Sequence, residues 1–133
     1  ISDSELEQGI ANCSLDPNIF NHLMHLRIGW LYIKKYGIED AIIKLCNQIS
    51  DFDKTYGTGN IFHKTLTICS LHIINECILK SISSDFESFV VEFPILNRDF
   101  KSMVAVHYSK DLLSSKKSRL QYLKPDLRDF DNI

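Results

Sequence analysis

Apolar side chains recur at steps of three and four residues through most of the chain, and strand-like alternation is nearly absent. The first periodic stretch predicts a helix from about Pro17 to Tyr36. Asp16 is placed as its N-cap, Pro17 stands at the first helical position, where a missing N–H costs nothing, and Gly37 ends it. Glu39 and Asp40 then favour a helix start by their charge. Ile42, Leu45, Cys46, Ile49, Phe52 and Tyr56 form the apolar stripe of a second helix, reaching about Asp53 or Tyr56. Tyr56-Gly57-Thr58-Gly59-Asn60 reads as a C-cap and turn; no strand precedes it, as a phosphate loop requires. A third long helix is expected from about Ile61 to Ser81. Shorter ones follow over Asp85 to Phe93, Asn97 to His107 and Lys110 to Lys117, with Pro94 and Ser109 as punctuation. Residues 118–133 are expected to be an irregular tail. The expected fold is therefore all-α: one helical-bundle domain over residues 1–133, its core over about 17–117, with three long helices and two or three short C-terminal ones.

On a helical wheel, Leu26, Gly29, Ile33 and Tyr36 lie within about 40° of His22, and His25 lies about 60° to one side. Both histidines are thus expected on the core-facing stripe, with Gly29 allowing close approach of a neighbouring helix. In the third long helix His63 aligns with Thr67, Ser70, Ile74 and Cys77, while Lys64, Thr65 and Glu76 point elsewhere. His72 falls opposite His63, beside Asn75 and Glu76, and is expected to face solvent.

A buried imidazole without a partner costs a few kcal/mol, so inward histidines need hydrogen bonds or a metal. His22, His25 and His63 make a candidate three-nitrogen site for one divalent transition metal with an open position for water or substrate. Zinc, iron and nickel all suit imidazole. Thr67, Tyr36 and Tyr108 are candidate supporting or substrate-contacting groups beside Gly29. Neither H-E-x-x-H nor the E-x-x-H of di-iron bundles is present. Asp16 and Asp53 read as cap and surface residues, and no nucleophilic triad is legible.

Composition narrows the classes. A net charge of −2 argues against a dedicated nucleic-acid binder, and no apolar run is long enough to span a bilayer. The opening residues Ile1 to Leu6 have neither an initiator Met nor the pattern of a secretory signal. Cys13, Cys46, Cys69 and Cys77 form no C-x-x-C pair and read as small hydrophobes in a reducing, cytoplasmic setting. The last quarter interleaves Lys110, Lys116, Lys117, Arg119, Lys124 and Arg128 with aspartates. It reads as a solvated helix and tail docked through Leu120, Tyr122 and Leu123.

Three segments together resemble an uncharacterised family of small bacterial helical proteins. They are Phe20 to Tyr32 with its F-x-H-x-x-H-L pattern, Phe62-His63-Lys64-Thr65-Leu66-Thr67, and Tyr108-Ser109 with Leu112 to Ser115 and Pro125-Asp126-Leu127. The resemblance covers roughly Phe20 to Leu127 and marks His22, His25, His63, Thr65 and Thr67 as pattern positions. It brings no activity with it. Met24 and Lys64 stand where relatives carry Asp and Glu.

Three functional expectations follow: a metal-dependent enzyme acting on a small-molecule substrate, a metal-free small-molecule-binding bundle, and a non-enzymatic interaction module using an apolar face such as Phe86/Phe89/Phe93. Substrate and oligomeric state are not legible.

Overall fold

The computed structural model describes residues 1–131. The last two positions of the expected tail, 132 and 133, lie outside the described residues. The described chain is all-helical, with no strand, and divides into two compact units, residues 1–62 and 63–133. Three helices are long, and short ones follow them, as the periodicity predicts.

In the first unit, α1 (Asp3–Ala11), α2 (His22–Tyr36) and α3 (Ile38–Tyr56) pack pairwise. Helix α1 was not expected, although its signature is written in Ser2-x-x-Glu5. The Ser2 hydroxyl accepts the Glu5 N–H, and the Glu5 carboxylate accepts the Ser2 N–H. Leu6 and Ile10, two of the most deeply buried residues, come from this helix. Helix α2 starts five residues later than Pro17. Asp16 instead holds a turn by accepting the Asn18 N–H, and Asn21 caps α2 by accepting the Met24 N–H. Gly37 alone joins α2 to α3; its φ of +84° is a conformation in which any side chain is strained. Asp53, read as a surface residue, is buried. Its Oδ2 accepts the N–H groups of Ile61 and Phe62, both at 2.9 Å, and so ties the turn after α3 back to the helix.

In the second unit α4 (Lys64–Lys80) is central and packs against both α7 (Phe100–His107) and α9 (Lys116–Leu120). Between them lie α5 (Phe86–Glu92), α6 (Ile95–Arg98) and α8 (Lys110–Leu113). Two expected helices are each split. Asp99, with φ −152°, separates α6 from α7, and Ser115 ends one turn and caps the next by accepting the Ser118 N–H. Both breaks fall at short polar residues, which favour caps and turns over helix interiors; at Asp99 the carboxylate accepts the Ser102 hydroxyl rather than a backbone N–H.

The tail is irregular but it is not a loose coat. Residues 121–131 run as a strap against α4 and α7. Thr65 Oγ1 donates to the Gln121 carbonyl and accepts the Leu123 N–H, and Leu127 N–H reaches the His107 carbonyl. Phe130 is buried between His72 and His107, with ring centroids 4.6 and 4.5 Å away. Of the expected anchors, Leu120 is 67% exposed while Tyr122 and Leu123 are half-covered; the buried side chain of the strap is Phe130. Consequently the α4 face carrying His72, Asn75 and Glu76 is not the solvent side: Asn75 is buried, and His72 and Glu76 are half-covered. An α-helix apolar on nearly every side, as α4 is, is one that neighbours surround.

Candidate functional site

His63 does not lie within α4. It precedes the helix as its N-cap, with an extended backbone. Its Nδ1 accepts the Leu66 N–H at 3.0 Å, the service that Ser, Asp or Asn usually performs. Its Nε2 donates to the Leu113 carbonyl at 2.8 Å, at the end of α8. One nitrogen accepting and the other donating defines the neutral Nε2–H tautomer. Ser118, fully buried at the start of α9, lies 3.4 Å from the same Nε2 and donates to backbone carbonyls at Leu113 and Ser115. A cap, a carbonyl and a serine thus bind α4, α8 and α9 around one imidazole. A metal ligand needs a nitrogen lone pair, and the pair on Nδ1 is directed at the Leu66 amide.

His22 and His25 belong to the first unit and occupy the opening turn of α2, where both are exposed rather than core-facing. The wheel phase holds for Leu26, Gly29 and Ile33, which are buried; it fails at the helix ends, where His22, His25 and Tyr36 lie beyond the covered middle of α2. His25 donates from Nδ1 to the Asn21 carbonyl at 2.7 Å, and its ring stacks on Phe20 with centroids 3.7 Å apart. Desolvation beneath that stack lowers its pKa; the Asn21 bond opposes the shift and the nearby His22 adds to it. Among the described residues no group of three or more His, Cys, Asp or Glu side chains is arranged to hold a metal ion.

The expected supporting residues have separate employments. Thr67 Oγ1 donates to the His63 carbonyl one turn back. Tyr36 is an exposed ring, with Lys44 Nζ 4.8 Å and Lys35 Nζ 5.4 Å from its centroid, not an inward residue. Gly29 is buried in α2. Tyr108 is almost wholly buried and donates its hydroxyl to the Leu123 carbonyl at 2.6 Å, so it serves the strap; burial raises its pKa. Ser109 caps α8 and is bonded to Asp126, whose carboxyl is held below its usual pKa by those Ser109 bonds.

Sequence reasoning passed over Thr65, which the wheel turned outward and which is fully buried. The family-like pattern His63-x-Thr65-x-Thr67 was the signal for it. Glu92 was also missed. It accepts from the Ser81 and Ser83 hydroxyls and from the Ile82 N–H, which lowers its pKa and fixes the loop between α4 and α5. That fixed loop displays Ile82, 94% exposed, and α5 displays Val91, 80% exposed. Both line one shallow groove of about 430 Å³ with Ser83, Glu87, Ser88 and Glu92. The expected phenylalanine face is not the exposed one: Phe89 is fully buried, and Phe86 and Phe93 are half-covered.

No helix among the described residues is long and apolar enough to cross a membrane. No family model matches the chain, and no curated protein or solved structure matches it.

Proposed function

We propose that this chain is a non-catalytic helical interaction module in which the histidines are structural hydrogen-bonding groups. The observation that carries this reading is the use of both His63 nitrogens on backbone partners, Leu66 N–H and Leu113 C=O, in the second unit. A general base or metal ligand needs its lone pair available, and a cap does not have one to spare. The contact surface in this reading is the Ile82/Val91 groove. An exposed apolar pair ordinarily means little, but Glu92 spends three hydrogen bonds holding the loop that presents Ile82. Rigid presentation lowers the entropy a partner must overcome on binding.

One preparation, made without a His-tag, tests both halves. Elemental analysis is expected to find transition metal far below one atom per chain, unchanged in His63→Ala. Fluorescence of an apolar dye is expected to fall in Ile82→Glu with Tm unaltered, because that side chain is almost fully exposed. Stoichiometric metal that disappears with His63, or dye binding indifferent to Ile82→Glu, overturns the proposal.

A further inference from the structure

We infer that the C-terminal strap is an acid-released latch, with His72 as the sensing group and Glu76 as the part that changes partner. Phe130 is the bolt. It lies between His72 of α4 and His107 of α7, stacked on the former with an interplanar angle of 20°. Glu76, one helical turn after His72, accepts the Asp131 N–H at 2.7 Å and so holds the chain immediately after the bolt. His107 holds the chain before it: its Nδ1 donates to the Arg128 carbonyl at 2.8 Å, and its own carbonyl accepts the Leu127 N–H at 3.0 Å.

A proton arriving on His72 acts on this arrangement in two ways. The imidazolium needs water or a counter-charge, and the Phe130 ring covers one of its faces. The carboxylate that acts on His72 is Glu76, at the i+4 position where a helix brings opposite charges together. Pairing with His72 draws Glu76 away from the Asp131 amide, and hydrating the imidazolium requires Phe130 to lift. The His107, Ser109, Tyr108 and Thr65 bonds then hold the strap without Phe130 and Glu76.

The charges around His72 decide whether it stays neutral in the closed state. Glu76 favours protonation, while burial and His107 oppose it, and the opposing effects prevail. On the strap, Arg128 and Asp131 pair with each other at 3.7 Å, and Asp129 is exposed. Helix α9, also packed on α4, brings only the exposed Lys116, Lys117 and Arg119, which add no counter-charge for an imidazolium. Closure therefore favours the neutral ring, and by linkage protonation favours opening.

Amide hydrogen exchange on the full chain reads this directly, compared between about pH 7.5 and about pH 5.5 after correction for intrinsic rates. Protection at Leu127 and Leu123 is expected to fall severalfold, while that of Ile73 in the core of α4 falls less. In His72→Phe, which keeps an aromatic ring for Phe130 and cannot titrate, the loss at Leu127 is expected to vanish; His72→Gln is the second variant should the first pack poorly. Glu76→Gln retains an acceptor for Asp131 but cannot pair with an imidazolium, so its release should be weaker than in the parent chain. Strap amides that track Ile73, or an undiminished pH response in both His72 variants, overturn the latch.

Discussion

Thr65→Val tests the account of how the strap is held. Valine has the shape of threonine without the hydroxyl, so the substitution leaves packing nearly intact and removes two hydrogen bonds. Thr65 is fully buried, and its Oγ1 donates to the Gln121 carbonyl at 2.9 Å while accepting the Leu123 N–H at 3.1 Å. A buried group left without its partner costs about 1–3 kcal/mol. Gln121 is exposed and Leu123 only half-covered, so water recovers part of that cost. The net loss is expected at about 2–4 kcal/mol for the two bonds together. For a chain of this size that corresponds to a fall in Tm of roughly 6–15 °C. Thr65→Ser is the companion variant. It keeps the hydroxyl and loses one methyl group, at a cost of about 1 kcal/mol. Urea and thermal unfolding followed by circular dichroism measure both, and hydrogen exchange at Leu123 localises the effect. A valine variant as stable as the parent, or a serine variant as damaged as the valine one, would refute the bridging role.

His63→Ala removes an N-cap and the bond to Leu113, and should cost about 2–3 kcal/mol in urea unfolding. His63→Asn restores the capping acceptor and should regain about 1 kcal/mol of that; equal losses in the two variants would count against the cap. Desolvation lowers the pKa of both His25, stacked on Phe20, and half-covered His72, so the unfolded chain takes up protons first as the pH falls below about 6.5. Stability should be complete above that value and decline as the pH falls towards the folded pKa values, and a free energy of unfolding that rises from about pH 7 to about pH 5.5 would contradict this sign. Burial pushes the Cys69 thiol up to about 12 and Cys77 to about 11, so neither should react with a disulfide reagent at neutral pH until the chain unfolds. Partly exposed Cys13 should react ahead of them.

Periodicity alone was enough to locate α2, α3 and α4 and to exclude a sheet, because a helix that buries one stripe must repeat at 3.6 residues. Local chemistry also located Gly37 and the cap Ser109, where a short side chain meets an orphan amide within three residues; Asp85, expected as the first helical residue, caps its helix in the same way. The Ser2–Glu5 box was equally local and equally readable. The histidines were another matter. Whether His63 lies inside a helix or caps it depends on where the helix begins, and moving that start three residues, from Ile61 to Lys64, changes a candidate ligand into an occupied hydrogen-bonding group. A wheel also assumes one buried face, whereas α4 is surrounded, so its phase could not tell Thr65 and Asn75 from solvent-facing residues. Only tertiary structure decided that Phe130, an isolated ring among aspartates, closes over His72, and that Leu113, fifty residues from His63, supplies its carbonyl. Periods and caps are properties of neighbours along the chain. The bonds that occupy these histidines join distant segments, and no spacing in the sequence records them.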